Sequence, residues 1–455
     1  MLEAVDDRRK RRSSWLSPRT WRRRLVFWGG ALVVGTISVL FTKAANWAQA
    51  VFLHGSTHFW GLPLLLTPAG FVLCAWMARE FFPGSQGSGI PQAIAARHFA
   101  HSQDRYRLLS VKVVLGKILL TIMALLCGAS VGREGPTVQV GAAFMLQVAK
   151  WRGLQHERGL ILAGSAAGIA AAFNTPLAGI VFAIEEMSRS FEARTNGLVL
   201  YAVIISGLVS LALVGNYTYF GTTSVAVTSA LDWGLVLACG VVGGLAGGAF
   251  ARLMLVGTKR AQAWAAGQSR ARKLLLPLAC GVVVALLGMA THGATFGTGY
   301  AQAHSAVEGH ALAWYIWPAK FIANLATAIS GIPGGIFAPS LAVGAGLGDW
   351  LAGFGMKAVS LGAVLGMAGY FAGVVQAPIT AFVIILEMTD NDVNVIPLMV
   401  AAVLGYGASK LVMKQPLYHA LSQGFMPPEA EAQKKDETKE QETSFCEQKE
   451  AKKLC

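Results

Sequence analysis

Glu134 is the residue whose surroundings point most directly to chemistry. It lies in the run GREGP, Gly132 to Pro136, between stretches apolar enough to be buried in a bilayer. A charge at the bilayer centre costs about 2.5 to 17 kcal/mol, and such groups commonly serve ion pathways or proton transfer. A structural ion pair with Arg133 is the alternative, because it would neutralise the buried charge. The setting favours a carboxylate that gates an ion path or accepts a proton.

Four runs of glycine and proline interrupt the apolar sequence. They are GREGP itself, GSGIP (Gly87 to Pro91), GGIFAP (Gly334 to Pro339) and AFNTPLAGI around Pro176. Proline is tolerated in the first turn of a helix and glycine lets the preceding backbone bend, so each run can begin a helix inside the membrane. The start of such a helix directs free N–H groups and a positive dipole end at its surroundings, where they attract an anion.

The candidate anion ligands in these runs carry only partial charges. They are the hydroxyl of Ser88 and the backbone N–H groups of residues 335–337. Partial charges suit a pore, because an ion that meets a full buried charge binds too tightly to leave. Two plainer roles stay open, since the glycines could serve close helix packing and Ser88 could cap a helix. A serine and a glutamate seated inside the breaks favour a pathway for a small anion.

The elements that must position these residues are membrane helices. Hydrophobic residues make up 54% of the 455 residues and charged residues only 14%, a balance that soluble domains do not show. Apolar stretches of spanning length recur near residues 25–53, 61–78, 109–128, 159–184, 197–214, 233–256, 274–290, 311–330, 359–388 and 395–413. Their length predicts an all-α polytopic membrane protein with ten or more helical segments rather than a barrel.

The chain repeats itself at an offset of 203 or 202 residues. The first offset superposes Lys117 on Lys320, Pro136 on Pro339 and Gly141 on Gly344, and the second superposes Gly164 on Gly366, Pro176 on Pro378 and Glu185 on Glu387. Matches that include lysine, proline and glutamate indicate duplication rather than shared composition. Basic residues precede segment 29–53 but follow its counterpart 232–256, so the two repeats are predicted to be inverted in the membrane.

Four parts follow from this division: a basic cytoplasmic arm 1–24, a first repeat 25–220, a second repeat 221–426 and a disordered charged tail 427–455. The net charge of +14 lies in the arm and in short loops, which the positive-inside rule explains without a nucleic-acid partner. The six cysteines have no paired spacing and the nine histidines form no metal-binding motif. The sequence therefore predicts neither a metal nor a cofactor.

Glu186 is the second candidate for proton transfer. It lies in the run AIEEM on an apolar helix, beside Glu185. Glu185 has the counterpart Glu387 in the second repeat, whereas Glu186 aligns with Met388. The duplicated glutamate suits a structural role and the unduplicated one a functional role. A titratable group at a helix end could bind the transported proton transiently at a point that is reached from the cytoplasm.

The runs GSGIPQ, GREGP, GIFAP and PLY, in this order across about residues 25 to 420, resemble the CLC family of chloride channels and chloride/proton exchangers. The resemblance implies a homodimer in which each subunit carries its own anion pathway. It also implies a chloride site formed by Ser88, the backbone amides of Ile336 and Phe337, and Tyr418. By position alone, Tyr418 would instead lie in an aromatic belt at the membrane surface.

The same resemblance implies that Glu134 is the gating and external proton glutamate. It implies that Glu186 is the internal proton glutamate, which exchangers carry and dedicated channels generally lack. The serine in GSGIP favours chloride over nitrate by family analogy, while GREGP and the intact GIFAP run disfavour a fluoride-specialised relative. The predicted function is a secondary active transporter, not an enzyme, that exchanges chloride for protons across a lipid bilayer.

Two alternatives remain at this point. One is a passive voltage-gated or pH-gated chloride channel of the same family. The other is a membrane-embedded hydrolase with Ser88 as nucleophile, which is disfavoured because Gln86 breaks the GxSG spacing and no histidine lies on a neighbouring apolar helix to activate the hydroxyl. The predicted location is a bacterial inner membrane with both termini in the cytoplasm.

Overall fold

The structure, a computed structural model, describes residues 18–99, 101–152, 157–188, 193–215, 217–355 and 358–426. In the first half, the helices are α1 (Pro18–His58), α2 (Leu62–Glu80), α3 (Ile90–His98), α4 (Ser102–Leu108), α5 (Val111–Leu126), α6 (Glu134–Arg152), α7 (Glu157–Phe173), α8 (Pro176–Phe182) and α9 (Ala193–Val214). A π-helical turn, Ala183–Ser188, continues α8.

The second half follows a similar order. Its helices are α10 (Ala230–Ala266), α11 (Leu275–Ala290), α12 (Tyr300–Val307), α13 (Ile316–Ile329), α14 (Phe337–Phe354), α15 (Val359–Val375), α16 (Pro378–Thr389), α17 (Val395–Val412) and α18 (Leu417–Ser422). Short 3-10 turns lie at Arg272–Leu274, Asp392–Asn394 and Gln423–Phe425. Apart from two isolated bridges, the described ranges contain no β structure, so the predicted all-α fold is confirmed.

Within the described residues, seven helical segments are long and apolar enough to cross a membrane unaided, fewer than the ten stretches predicted. Three stretches account for the difference: 311–330 forms a helix of only 14 residues, Ile316–Ile329, and 159–184 and 359–388 each form two short helices. Asn174 and Gln376 break them with left-handed φ values of 58° and 57°. Pro176 and Pro378 then begin the next helices, and proline disfavours helical geometry in the residue before it. The two breaks lie at equivalent positions of the two repeats.

The predicted arm 1–24 ends where the apolar part of α1 begins. Helix α1 starts at Pro18, and its candidate membrane span starts at Arg24. The rest of that arm and the tail 427–455 lie outside the described residues. The boundary between the repeats at residues 220 and 221 stays a prediction.

The repeats bind each other through matching carboxylates, Glu185 on the π-helical turn and Glu387 on α16. Glu185 accepts hydrogen bonds from the N–H groups of Ile379 and Thr380 (3.1 and 2.6 Å), and Glu387 accepts them from Leu177 and Ala178 (2.9 and 2.7 Å). Each glutamate thus caps the helix start of the other repeat, where free N–H groups and the dipole favour an anion. The structural role predicted for the duplicated glutamate matches this geometry.

Small residues bring the helices close together. A side chain at Gly141 would overlap the backbone of Gly164 where α6 packs on α7, and the equivalent pair Gly344 and Gly366 packs α14 on α15 in the same way. The main core surrounds these contacts, with α10 and α17 packed against α15. Close packing of this kind replaces the hydrophobic driving force that membrane helices lack in lipid. It holds the helix breaks described next in a rigid frame.

Candidate functional site

The broken loops of the two repeats meet at one point through backbone hydrogen bonds. Gly132 and Gly335 exchange both N–H to carbonyl bonds at 2.7 Å, an antiparallel pairing of two residues at equivalent positions. Beside it, Gly87 donates to Ile332 (3.3 Å) and accepts from Gly334 (3.1 Å). The starts of α3, α6 and α14 therefore converge, with their free N–H groups and positive dipole ends around one small region.

Glu134 is the first residue of α6 and is completely buried. Its carboxylate faces the backbone N–H groups of Arg133, of Glu134 itself and of Ala338, and no described residue completes a well-aligned hydrogen bond to it. A side chain on Gly132 would overlap this carboxylate, which explains the glycine that begins GREGP. The carboxylate thus lies on the starts of α6 and α14, where an anion would be attracted.

Arg133 does not neutralise this carboxylate. Its guanidinium donates hydrogen bonds to the side chain of Asn46, to the carbonyl of Thr42 (3.4 Å) and to the hydroxyl of Tyr219 (3.3 Å). Among the ion pairs within the described ranges, none joins Arg133 to Glu134. The alternative of a structural ion pair at Glu134 is therefore wrong for this structure.

Ser88 and Tyr418 lie together, although 330 residues of sequence separate them. Both side chains are buried, their hydroxyls are adjacent, and within the described ranges neither hydroxyl has a fully formed hydrogen bond. The N-cap residue of α3 is Gly89, and Ser88 does not cap that helix. Tyr418 is buried rather than placed in a surface belt, so that alternative is also wrong. Two hydroxyls are left to donate to a ligand between them.

The amides of Ile336 and Phe337 begin α14 beside this pair of hydroxyls. The Phe337 ring packs against Tyr418 with centroids 5.9 Å apart, which places the start of α14 against α18. No described residue accepts a hydrogen bond from either amide. Because buried N–H groups normally have partners, two open amides next to two open hydroxyls indicate a site for a small anion.

Glu186 lies near Tyr418, on the π-helical turn after α8. The side chain is 1% exposed, and its backbone carbonyl lies 3.0 Å from Nε2 of His419. Tyr418 is within electrostatic range of both Glu186 and Glu134. The structure therefore brings all six predicted site residues into one region, with Tyr418 near both carboxylates. Single π-helical turns occur frequently at functional sites.

Lys117 and Lys320 are equivalent buried lysines with equivalent partners. Lys117 donates to the carbonyls of Gln86 and Gly87 (3.3 and 2.8 Å), and Lys320 donates to those of Thr295 and Gly297 (2.9 and 2.8 Å). Each lysine holds the loop that leads into a short helix, α3 or α12. Both lysines are thus satisfied by backbone carbonyls.

Sequence reasoning missed the residues that hold Arg133. Asn46 is a polar side chain within the apolar helix α1, a signal that could have been used because polar groups in membrane helices are commonly functional. Nothing in the local sequence marks Tyr219, which lies in the loop before α10. It also missed His419, whose contact with Glu186 joins positions 233 residues apart.

No support for enzyme chemistry arises in the described part of the chain. Ser88 has no histidine partner there, and no three His, Cys, Asp or Glu side chains lie together as metal ligands. The nucleophile of the hydrolase alternative therefore lacks a base.

Comparison with known proteins identifies the family of the chain. Residues 69–410 match the model of a family described as voltage gated chloride channel. The chain is 33% identical over 422 residues to the H(+)/Cl(-) exchange transporter ClcA of Salmonella agona (strain SL483), an alignment that covers 86% of this chain and 87% of the relative. The ClcA protein of Salmonella typhimurium matches with the same identity and coverage.

Solved structures share the fold. A slow cyanobacterial Cl-/H+ antiporter superposes with a TM-score of 0.75 at 22% identity, covering 90% of this chain and 98% of that one. A CLC-type fluoride/proton antiporter gives a TM-score of 0.72 at 22% identity, covering 87% and 97%. A eukaryotic CLC transporter gives 0.73 at 20% identity, covering 88% and 74%.

Proposed function

The chain belongs to the voltage gated chloride channel family, and from this premise we propose that it exchanges chloride for protons across a membrane. The observation that carries the proposal is the position of Glu134. Its buried carboxylate lies on the backbone amides at the starts of α6 and α14, with no cation paired to it. An ionised side chain there occupies the place that a transported anion would take.

Chloride binds next to this position, between the Ser88 and Tyr418 hydroxyls and the amides of Ile336 and Phe337. All four are donors with partial charge, and no described residue uses them. Donors of this kind replace the hydration shell of a chloride ion without holding it as tightly as a lysine would. The ion can therefore both bind and leave.

Protonation of Glu134 links the two fluxes. An ionised carboxylate competes with chloride for the amides, whereas a neutral one is held weakly and leaves them. The same movement opens the anion path and carries a proton, so a single residue couples the ions. Because the aligned relatives are named as H(+)/Cl(-) exchangers, exchange is favoured over a passive channel.

Glu186 takes up the proton from the cytoplasmic side. It is buried, lies at the end of the α8 segment, and is near Tyr418, which also lies within electrostatic range of Glu134. A carboxylate in such a position can hold a proton between the cytoplasm and the gate. A passive channel needs no such group, which is why Glu186 favours the exchanger.

We propose that both termini lie in the cytoplasm. The end of α2 contacts the basic loop after α10, since Arg79 donates to the Lys273 carbonyl (3.0 Å) and Arg270 lies 3.9 Å from Glu80. The basic residues from Lys259 at the end of α10 to Lys273 thus lie on the same side as the end of α2, and the positive-inside rule favours the cytoplasm for that side. We also propose an inner membrane location, supported by the bacterial relatives, and a homodimer. Native mass spectrometry of the detergent-solubilised protein tests the dimer.

A flux measurement tests the exchange. The purified protein is reconstituted in liposomes with an outward chloride gradient and no pH gradient, and external pH and chloride are recorded together. Chloride efflux should drive protons inward against the pH difference that develops. Chloride efflux without coupled proton movement would instead make the protein a channel.

A further inference from the structure

Arg133 places a permanent positive charge next to the gate. It precedes Glu134 in the chain, is 2% exposed, and lines a cavity of about 380 Å3. Among the described residues that line this cavity, Lys43 is the other charged one and none is a carboxylate. A buried guanidinium is always charged, so an ionised carboxylate that reached it would be bound strongly.

Asn46 and Tyr219 fix this guanidinium from two different elements. The Asn46 side chain on α1 accepts from Nη1, and the Tyr219 hydroxyl in the loop before α10 accepts from Nη2 at 3.3 Å. The Tyr219 ring also lies under the guanidinium, 5.4 Å from its central carbon. This is a cation–π contact, which gains strength where water is excluded.

Aromatic packing makes Tyr219 rigid. Its ring forms edge contacts with Phe173, Phe220 and Tyr300, with centroids 5.3, 4.7 and 5.2 Å apart. The side chain is 3% exposed. A side chain held by three rings has little freedom, so the hydroxyl stays where Arg133 needs an acceptor.

We propose that Asn46 and Tyr219 are positioning residues that hold Arg133 away from Glu134, so that the gate is not trapped in an ion pair during exchange. The inference rests on the proposed function, in which Glu134 leaves the amides and returns to them in each cycle. When Glu134 loses its proton on the outer side, its carboxylate would be close to the guanidinium of the adjacent residue, Arg133. Because Nη1 and Nη2 of Arg133 already donate to α1 and to Tyr219, the amides of α6 and α14 are the better partners for the returning carboxylate.

The experiment combines each substitution with loss of the gate charge. Asn46→Leu removes the acceptor at similar volume, and Tyr219→Phe keeps the ring while removing the hydroxyl. Each is measured alone and in the Glu134→Gln background, in which no carboxylate is left for Arg133 to trap. Turnover and the chloride concentration for half-maximal flux are recorded in liposomes. Tyr217→Phe is the matched control, because Tyr217 lines the same cavity and Arg133 makes no hydrogen bond to it.

Asn46→Leu should lower the turnover of coupled exchange by about tenfold, a coupling within the range found for residues of one hydrogen-bond network. Tyr219→Phe should lower it less, and the chloride dependence should stay unchanged in both. In the Glu134→Gln background, neither substitution should slow chloride flux. Equal slowing in both backgrounds, or unchanged turnover in the single variants, would overturn the proposal.

The result for the Asn46 and Tyr219 variants can be distinguished from a failure of the proposed function. If the unsubstituted protein moves chloride without protons, exchange itself is refuted, whatever Asn46→Leu does. If exchange and its loss in Glu134→Gln are both observed, only the dependence on Asn46 and Tyr219 is at stake. If all variants unfold at the same temperature, their folding is intact. If Asn46→Leu fails to fold, Tyr219→Phe still tests the proposal, because it keeps the packing of the ring.

Discussion

The two repeats use the same backbone plan and different chemistry. Gly132 pairs with its equivalent Gly335, but the residue two positions later is Glu134 in the first repeat and Phe337 in the second. Likewise Glu185 and Glu387 cap each other's helices, while their neighbours are Glu186 and Met388. Residues that hold the fold are duplicated, and the two proposed proton carriers are not. One repeat supplies the titratable groups and the other supplies open amides.

Glu134→Gln removes the carboxylate that distinguishes the first repeat from the second at the gate. Of the substitutions proposed, it should have the largest effect. Proton flux should fall by about 1,000-fold, within the range that a positioned proton-transfer group contributes. Chloride flux should persist, because glutamine can neither ionise to occupy the amides nor carry a proton. Simultaneous pH and chloride recording in liposomes measures both fluxes. Coupled proton transport that survives in this variant would show that the gate lies elsewhere.

Glu186→Gln removes the second unduplicated carboxylate. Proton flux should fall by about 100-fold, at the lower end of the same range, while chloride still passes through the intact anion site. The same liposome assay compares it with Glu185→Gln, a change of the neighbouring duplicated glutamate, which should leave the ratio of protons to chloride unchanged. Equal loss of coupling in both variants would mean that duplication does not separate structural from functional glutamates.

The buried lysines test the duplicated part of the comparison. Lys117→Met and Lys320→Met should each lower the free energy of unfolding, by about 1 to 3 kcal/mol for every buried carbonyl left without a donor. The loss should be larger for Lys320→Met, because the carbonyls of Thr295 and Gly297 have no other described donor. The carbonyls of Gln86 and Gly87 keep Gln92 and Gly334 as donors when Lys117 is replaced. Thermal unfolding in detergent, with a surface change such as Lys259→Met as control, measures both losses. Equal losses at the two positions would contradict this difference between the repeats.

The interlocked glutamates should give the smallest effect. Glu185→Gln and Glu387→Gln each keep one acceptor oxygen but lose the charge at a helix start, which is worth about 0.3 to 1 kcal/mol. Both should lower thermal stability slightly and to the same extent, as unfolding curves in detergent would show. A change in one variant without a matching change in the other would contradict the reciprocal caps.

Local pattern was enough to predict the breaks in the helices and the residues seated in them. GREGP and GGIFAP combine proline, which suits a helix start, with glycine, which allows the bend before it, and both do begin helices. AFNTPLAGI likewise predicts the helix start at Pro176. The pattern failed at 359–388, where unbroken hydropathy hid the equivalent break at the left-handed Gln376. Hydropathy reports burial and length, and a break within a buried segment changes neither.

By itself, the sequence determined the membrane class, the duplication and the types of residue available for chemistry, because these depend on composition, period and local backbone preference. The tertiary structure alone decided which of them meet. Ser88 lies beside Tyr418, and Arg133 turns to Asn46 and Tyr219 rather than to Glu134. Such contacts join residues far apart in the chain, and they form only when the glycine-lined helices pack and the loops of the two repeats pair.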